Sequence, residues 1–303
     1  MKEKDIKEMG RSVNARLKNI AEKLKVDFSY LLLRYAYERF LYRLGMSRYK
    51  NNFILKGASV FVVWFGPMFR VTRDTDFLCH GASSPEHLIR CFRDICGVKV
   101  PDDGVDFDLS SITAQEMKKS GKYHGMRIIF NALIYSARVS MHFDIGFGDA
   151  VHPEPEMREF PRILEAFQPP SIFVYSPYSM VAEKFEAIVS LGNLNSRVKD
   201  YFDIWLLSEK LDFNFLLLKQ SIERTFQRRE NLIPTEVPIG LSSMFYGNRD
   251  KQLLWNHFVK RVSPALMPDN LQVAAERIKE LLFPIIKPEN AKPRLWKAGI
   301  GWK

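Results

Sequence analysis

The segment Arg70-Val71-Thr72-Arg73-Asp74-Thr75-Asp76-Phe77 sets two carboxylates two residues apart in a stretch that alternates like a β-strand. Residues at that spacing share a face, so Asp74 and Asp76 project side by side. Adjacent carboxylates repel each other and are costly together unless a cation lies between them. Hard oxygen donors in this arrangement suit Mg²⁺, which is held by one or two carboxylates and completed by substrate phosphates. The plain alternative is a solvated strand edge beside a turn. Upstream, Lys56-Gly57-Ala58-Ser59 separates the apolar run Phe53-Ile54-Leu55 from a second run, Val60 to Phe65. The pattern predicts strand, tight turn and helix. Glycine lets backbone approach a ligand closely, a helix N-terminus offers N–H groups to a phosphate, and Ser59 adds a hydroxyl.

A third acid, Asp144, lies in the alternating stretch Val139-Ser140-Met141-His142-Phe143-Asp144-Ile145, with the parity of Ser140 and His142. Two carboxylates on one strand and a third on a neighbour make the layout of two-metal phosphoryl or nucleotidyl transfer. Further along, Lys184 shares helical spacing with the apolar residues Val181, Ile188 and Leu191. Such a lysine either snorkels along its stem or carries its charge into a cleft. Asp200 and Asp203 fall on one helix face, where Lys199 can pair with Asp203 at i,i+4. A surface salt-bridge cluster is the simpler reading of that helix taken alone.

These residues need a sheet and a helical region to position them. Residues 10–25 read as a basic helix. Phe28 to Leu44 reads as a second, capped by Asp27 or Ser29 and stopped by Gly45. Ser84-Pro85 opens a helix to Ile95, and segments 122–135 and 138–147 read as an antiparallel pair turning near Ser136. Pro153 to Pro170 is rich in Pro and Glu and reads as a linker. Helices then fill 177–191, 196–210, 213–228, 249–262 and 270–283, the first with Ser176 as cap and Pro177 in its first turn. Strands before about residue 175 and helices after it give an α+β fold: a mixed sheet flanked by helices in 1–175, then an α-helical domain in 176–303.

The chain has 303 residues, of which 46% are hydrophobic, enough for a large core and against disorder. No run reaches the roughly 18–20 apolar residues of a membrane span, so no membrane partner is expected. The start is charged with no apolar segment behind it, and the three cysteines show no metal spacing. Both features predict a chain without a secretory signal, in the reducing cytoplasm. The formal net charge of +10 is concentrated at the ends: residues 1–50 carry 13 basic and 6 acidic side chains, residues 251–303 carry 10 and 4. Clustered basic groups of this kind suit a polyanion, though two solvated helical faces would give the same count.

Taken in order, Leu55-Lys56-Gly57-Ala58-Ser59, the Arg70 to Asp76 segment, strand-borne Asp144, Ala182-Glu183-Lys184 and Arg197-x-Lys199-Asp200-Tyr201-x-Asp203 resemble the AbiEii/AbiGii-type nucleotidyltransferase toxins of the DNA polymerase β-like superfamily. The helix from Tyr35 to Leu44 is similar to that family's N-terminal segment, and the resemblance runs from about residue 30 to 210. It departs at the first motif, where the family's Gly-Gly or Gly-Ser pair is split as Gly57-Ala58-Ser59. The resemblance implies transfer of a nucleoside monophosphate from an NTP to an acceptor hydroxyl, RNA and notably tRNA being a known acceptor class, by a toxin with a separately encoded antitoxin. It implies Asp74, Asp76 and Asp144 as ligands of Mg²⁺ or Mn²⁺, with Asp144 also helping to deprotonate the acceptor. Gly57 and Ser59 would cradle the phosphates, with Lys56, Arg70 and Thr72 beside them. Lys184 would meet the leaving pyrophosphate, and Lys199, Asp200 and Asp203 would orient it or the nucleotide, bound in a cleft between the domains. Two other readings fit the same residues: a kinase-type phosphotransferase on this fold, and a nucleic-acid-binding module without activity. Three converging acids, which no fold requires, argue against the last.

Overall fold

The computed structural model describes residues 3–66, 74–118, 124–262, 266–287 and 294–303. Arg70 and Thr72 lie outside them. The fold is α+β, and the chain divides into two compact units: 1–148 with 156–174, and 149–155 with 175–303.

The first unit opens with α1 (Glu3–Leu24) and α2 (Phe28–Met46). Asp27 caps α2 by accepting from the Tyr30 N–H, which leaves the helix start satisfied. Gly45 does not stop this helix. It lies inside the last turn, where a Cβ would sit 2.4 Å from the Ser171 carbonyl oxygen, so its smallness serves a close approach of backbones. The strands follow as β1 (Phe53–Lys56), β2 (Asp74–Cys79), β3 (Asp106–Lys118), β4 (His124–Ile134), β5 (Ala137–Phe147), β6 (Glu156–Glu159) and β7 (Ser171–Val174). A 3-10 turn over Gly57–Val60 and the five-residue α3 (Phe61–Phe65) follow β1, and α4 (Pro85–Cys96) follows β2.

Among the described residues these strands form one seven-stranded mixed sheet in the order β3-β4-β5-β2-β1-β7-β6. The pairs β5/β2 and β1/β7 are parallel, the others antiparallel. The expected linker from Pro153 to Pro170 is therefore in part sheet, since Glu156–Glu159 pairs with β7 at the sheet edge. Its exposed, charged sequence is what such an edge favours.

Alternation decides the two faces. Phe77 of β2, Phe130 of β4 and Phe143 of β5 point to one side, where they meet Phe40 of α2 and Phe92 of α4. Asp76 and Asp144, next in sequence to Phe77 and Phe143, and Arg127, three residues before Phe130, project from the opposite face. The aromatic core thus fixes the register that the charged face depends on.

A buried charge cluster pins α2. Asp103 accepts from Arg39 at 3.1 Å and from Arg43 at 2.7 Å, while Glu38 accepts from the Ile163 N–H at 2.7 Å. Burial raises the Glu38 carboxyl to about 7 despite the lowering pull of Arg39.

The second unit contains α5 (Pro177–Leu191), α6 (Val198–Lys210), β8 (Phe213–Asn214), α7 (Phe215–Arg228), α8 (Ser243–Tyr246), α9 (Arg249–Val262), α10 (Leu271–Ile286), β9 (Leu295–Lys297) and β10 (Gly301–Trp302). The C-terminal residues form a hairpin on β8. Fully buried Trp296 anchors it, with its indole N–H donating to the Ser208 carbonyl at 2.8 Å and the Arg277 guanidinium over its ring. No helix among the described residues is long and apolar enough to cross a membrane.

Candidate functional site

β1, β2 and β5 assemble the acids. Lys56 stands opposite Asp76, and Asp76 stands opposite Asp144 on the neighbouring parallel strand. Asp74 is paired with His142, whose Nδ1 lies 3.8 Å from the Asp74 carboxylate. Asp74, Asp76 and Asp144 therefore share one sheet face, with Asp74 about half exposed and Asp144 largely covered.

The turn after β1 is shaped to this row. Gly57 has φ +66°, and a Cβ there would lie 2.2 Å from Oδ2 of Asp76, so the turn backbone presses directly on that carboxylate. Ser59 is buried and its hydroxyl donates to the Asp74 carbonyl oxygen at 3.4 Å. It ties the turn to β2. The segment offers a 3-10 turn and a short helix rather than the longer helix N-terminus its sequence suggests.

Two residues that sequence reading missed hold the row. Tyr37 on α2 bonds both backbone groups of His142, donating to the carbonyl at 2.8 Å and accepting from the N–H at 2.9 Å. Arg127 on β4 stands opposite Asp144 and grips it with two hydrogen bonds, Nε at 2.7 Å and Nη2 at 2.8 Å. That bidentate bond raises the arginine's pKa further, with Asp74 and Asp76 adding to it. Arg127 alternates with buried Met126 and Ile128, a charged residue in an apolar run, which was the available signal.

The donor set decides what cation could fit. Asp74 and Asp76 present hard carboxylate oxygens side by side, whereas each oxygen of Asp144 already accepts a hydrogen bond from Arg127. Among the described residues no group of three His, Cys, Asp or Glu is gathered for a metal. The set fits one divalent cation held by two carboxylates, with phosphate oxygens completing the shell.

In the second unit Lys184 neither snorkels nor stands alone. Its ammonium lies 2.7 Å from Asp200 and 2.8 Å from Asp203, carboxylates that are 0% and 1% exposed. Burial works against the charged lysine, but these two acids outweigh it and hold its pKa above the ordinary value. Arg197 adds a 2.8 Å contact to Asp200. Asp203 is thus taken by Lys184, while Lys199 is exposed. On the next helix turn and beyond it, Arg229 joins Glu186 and Asp149, and Asn231 donates to Glu186 at 2.5 Å.

The sequence pattern of one family, the nucleotidyl transferase AbiEii toxins of type IV toxin–antitoxin systems, matches residues 39–281. The chain belongs to the AbiEii family. The matched span holds Lys56, Gly57, Ser59, Asp74, Asp76, Asp144, Lys184, Asp200 and Asp203, together with Arg127. It leaves out α1 and the C-terminal hairpin. Two solved structures are similar to this AbiEii chain. One is JHP933 from Helicobacter pylori, at 15% identity and TM-score 0.44, covering 82% of this chain and 88% of that one. The other is a candidate nucleotidyltransferase from the same organism, at 14% identity and TM-score 0.45, covering 87% and 97%. A comparison with curated proteins finds no match.

Proposed function

We propose that this AbiEii chain is a Mg²⁺- or Mn²⁺-dependent enzyme that transfers a nucleoside monophosphate from an NTP to a hydroxyl of RNA, with tRNA as the favoured acceptor. It acts in the cytoplasm as the toxin beside a separately encoded antitoxin. The observation that carries the reading is the Asp74–Asp76 pair on one strand face, with the Gly57 turn pressed against Asp76, inside the span that matches the family.

Asp74 and Asp76 would hold the cation, which when bound supplies charge neutralisation and alignment to the triphosphate. The acceptor oxygen bonds to the α-phosphorus, the bond from that phosphorus to the bridging oxygen breaks, and pyrophosphate leaves with the electron pair. The hydroxyl proton passes to water. Gly57 lets the turn backbone come close to the phosphates, and Lys56, at the head of the row, offers them positive charge. Ser59 keeps the turn on β2. Lys184, held by Asp200 and Asp203, is the second unit's candidate for pyrophosphate charge, with Lys199 exposed for the nucleotide or RNA.

The test is incubation with total RNA, Mg²⁺ and each labelled NTP in turn. Label should enter one RNA class and vanish with Asp76→Asn. Label that moves as the γ-phosphate instead would make the chain a kinase. RNA binding and toxicity that survive Asp76→Asn would make it a binding module.

A further inference from the structure

One row of side chains crosses four strands on the charged face of the sheet. Lys56 stands opposite Asp76, Asp76 opposite Asp144, and Asp144 opposite Arg127, so charge runs positive, negative, negative, positive. Arg127 closes the row with Nε and Nη2 on the two oxygens of Asp144. The pair is sheltered, with Asp144 12% and Arg127 32% exposed. A carboxylate in such a fork has one lone pair of each oxygen taken by a strong charge-assisted bond, and a metal on the outer lone pairs would sit beside the guanidinium's positive charge. The remaining nitrogen, Nη1, has no acceptor among the described residues, and Arg127 feels the charge of Asp74 and Asp76.

An isolated cross-strand ion pair would be a minor stabilising contact. This one lies in register with Asp76, next to two acids that a polyphosphate must approach. A fixed guanidinium there offsets their repulsion and offers two N–H groups in a set direction, which a mobile lysine cannot.

We propose that Arg127 is a nucleotide-contacting residue that donates from Nη1 to a phosphate oxygen, and that Asp144 is a positioning residue for Arg127 rather than a metal ligand. The proposal rests on β1, β2 and β5 carrying the transfer site. Arg127 exchanges no proton in the reaction, since its guanidinium stays charged throughout.

Two binding measurements on the full chain test it: Mn²⁺ alone by paramagnetic resonance, and inorganic tripolyphosphate with Mg²⁺ by calorimetry. Arg127→Met and Asp144→Asn should each weaken tripolyphosphate roughly tenfold or more, the scale of one hydrogen bond to a charged group. Neither should lower Mn²⁺ affinity as Asp76→Asn does. Asp144→Glu, which keeps a carboxylate for the fork, should recover part of the lost affinity. Melting curves identify folded variants, and if Arg127→Met does not fold, Arg127→Lys takes its place and should still weaken tripolyphosphate. Unchanged tripolyphosphate affinity in a folded Arg127 variant would overturn the proposal, leaving the pair structural. Loss of Mn²⁺ in Asp144→Asn equal to that in Asp76→Asn would overturn it in favour of a third metal ligand. Mn²⁺ affinity indifferent to Asp76→Asn would bring down the underlying site reading, and this proposal with it.

Discussion

A Cβ on Gly57 would stand 2.2 Å from Oδ2 of Asp76, and the glycine backbone has φ +66°, so two separate constraints exclude a larger residue. Gly57→Ala must push the turn away from Asp76 or turn the carboxylate aside. Because displacement of about 1 Å in a reacting group can cost roughly 10²-fold in rate, nucleotide transfer should fall by about that factor. Circular dichroism should show the fold retained. Activity within a few-fold of wild type would show that the contact between turn and carboxylate does not position the reaction.

Lys184 supports a second expectation. Asp200 and Asp203 are buried, and Lys184 is a direct partner of both. Breaking a buried pair strands its remaining charges, so Lys184→Met should destabilise the protein by about 3–5 kcal/mol, measured by urea unfolding. A loss below about 1 kcal/mol would mean that the acids gain water or protons when the lysine is removed. Any fall in turnover for this variant therefore has to be measured on the folded fraction.

The same residues show how far the sequence could be read. Parity alone put Asp74 with Asp76 on one face of their strand and Asp144 with Ser140 and His142 on one face of theirs, because strand alternation is a local property. Which strands neighbour one another is a long-range matter, so the facing of Asp76 with Asp144 and of Asp144 with Arg127 was not legible. β3 was missed for a physical reason: its first half, Asp106-Phe107-Asp108-Leu109-Ser110-Ser111, is broken by a register shift after Asp108, where the Ser110 N–H turns to the Asp108 side chain. β6 read as a linker because an exposed edge strand has no buried face to impose apolar alternation. Gly45 read as a helix stop because the approach of the Ser171 carbonyl comes from 126 residues away and leaves no trace nearby.

Glu38 gives the fold a pH dependence. Its carboxyl titrates near 7 in the folded chain because it is buried, against an ordinary 4.5. Between those values the unfolded chain has released the proton that the folded chain keeps, so this group's contribution to stability is fully present below about pH 4.5 and is lost as pH rises towards 7. The slope is at most about 1.4 kcal/mol per pH unit for one such group. Glu38→Gln can still accept from the Ile163 N–H and should flatten this part of the profile. An identical slope in that variant would assign the dependence to another group.

The basic ends differ in what their charges already touch. In the C-terminal region Lys287 lies 2.8 Å from Glu236 and Lys297 lies 2.8 Å from Asp212. A phosphate approaching either lysine meets the acid beside it. On α1 and just after it, Lys18, Lys23 and Lys25 are exposed, with no ion pair among the described residues. If RNA is the acceptor, Lys18, Lys23 and Lys25 should therefore hold its backbone more than Lys287 and Lys297 do. Each phosphate contact to a single strand contributes about 0.7 to the slope of log affinity against log salt. Replacing Lys18, Lys23 and Lys25 with alanine should then reduce the slope by about 2, while Lys287→Ala with Lys297→Ala should change it by less. Filter binding of total tRNA from low to high salt measures both, and NTP affinity should be unaffected in either variant. Equal slopes in wild type and the α1 variant would return these lysines to the role of a solvated helix face.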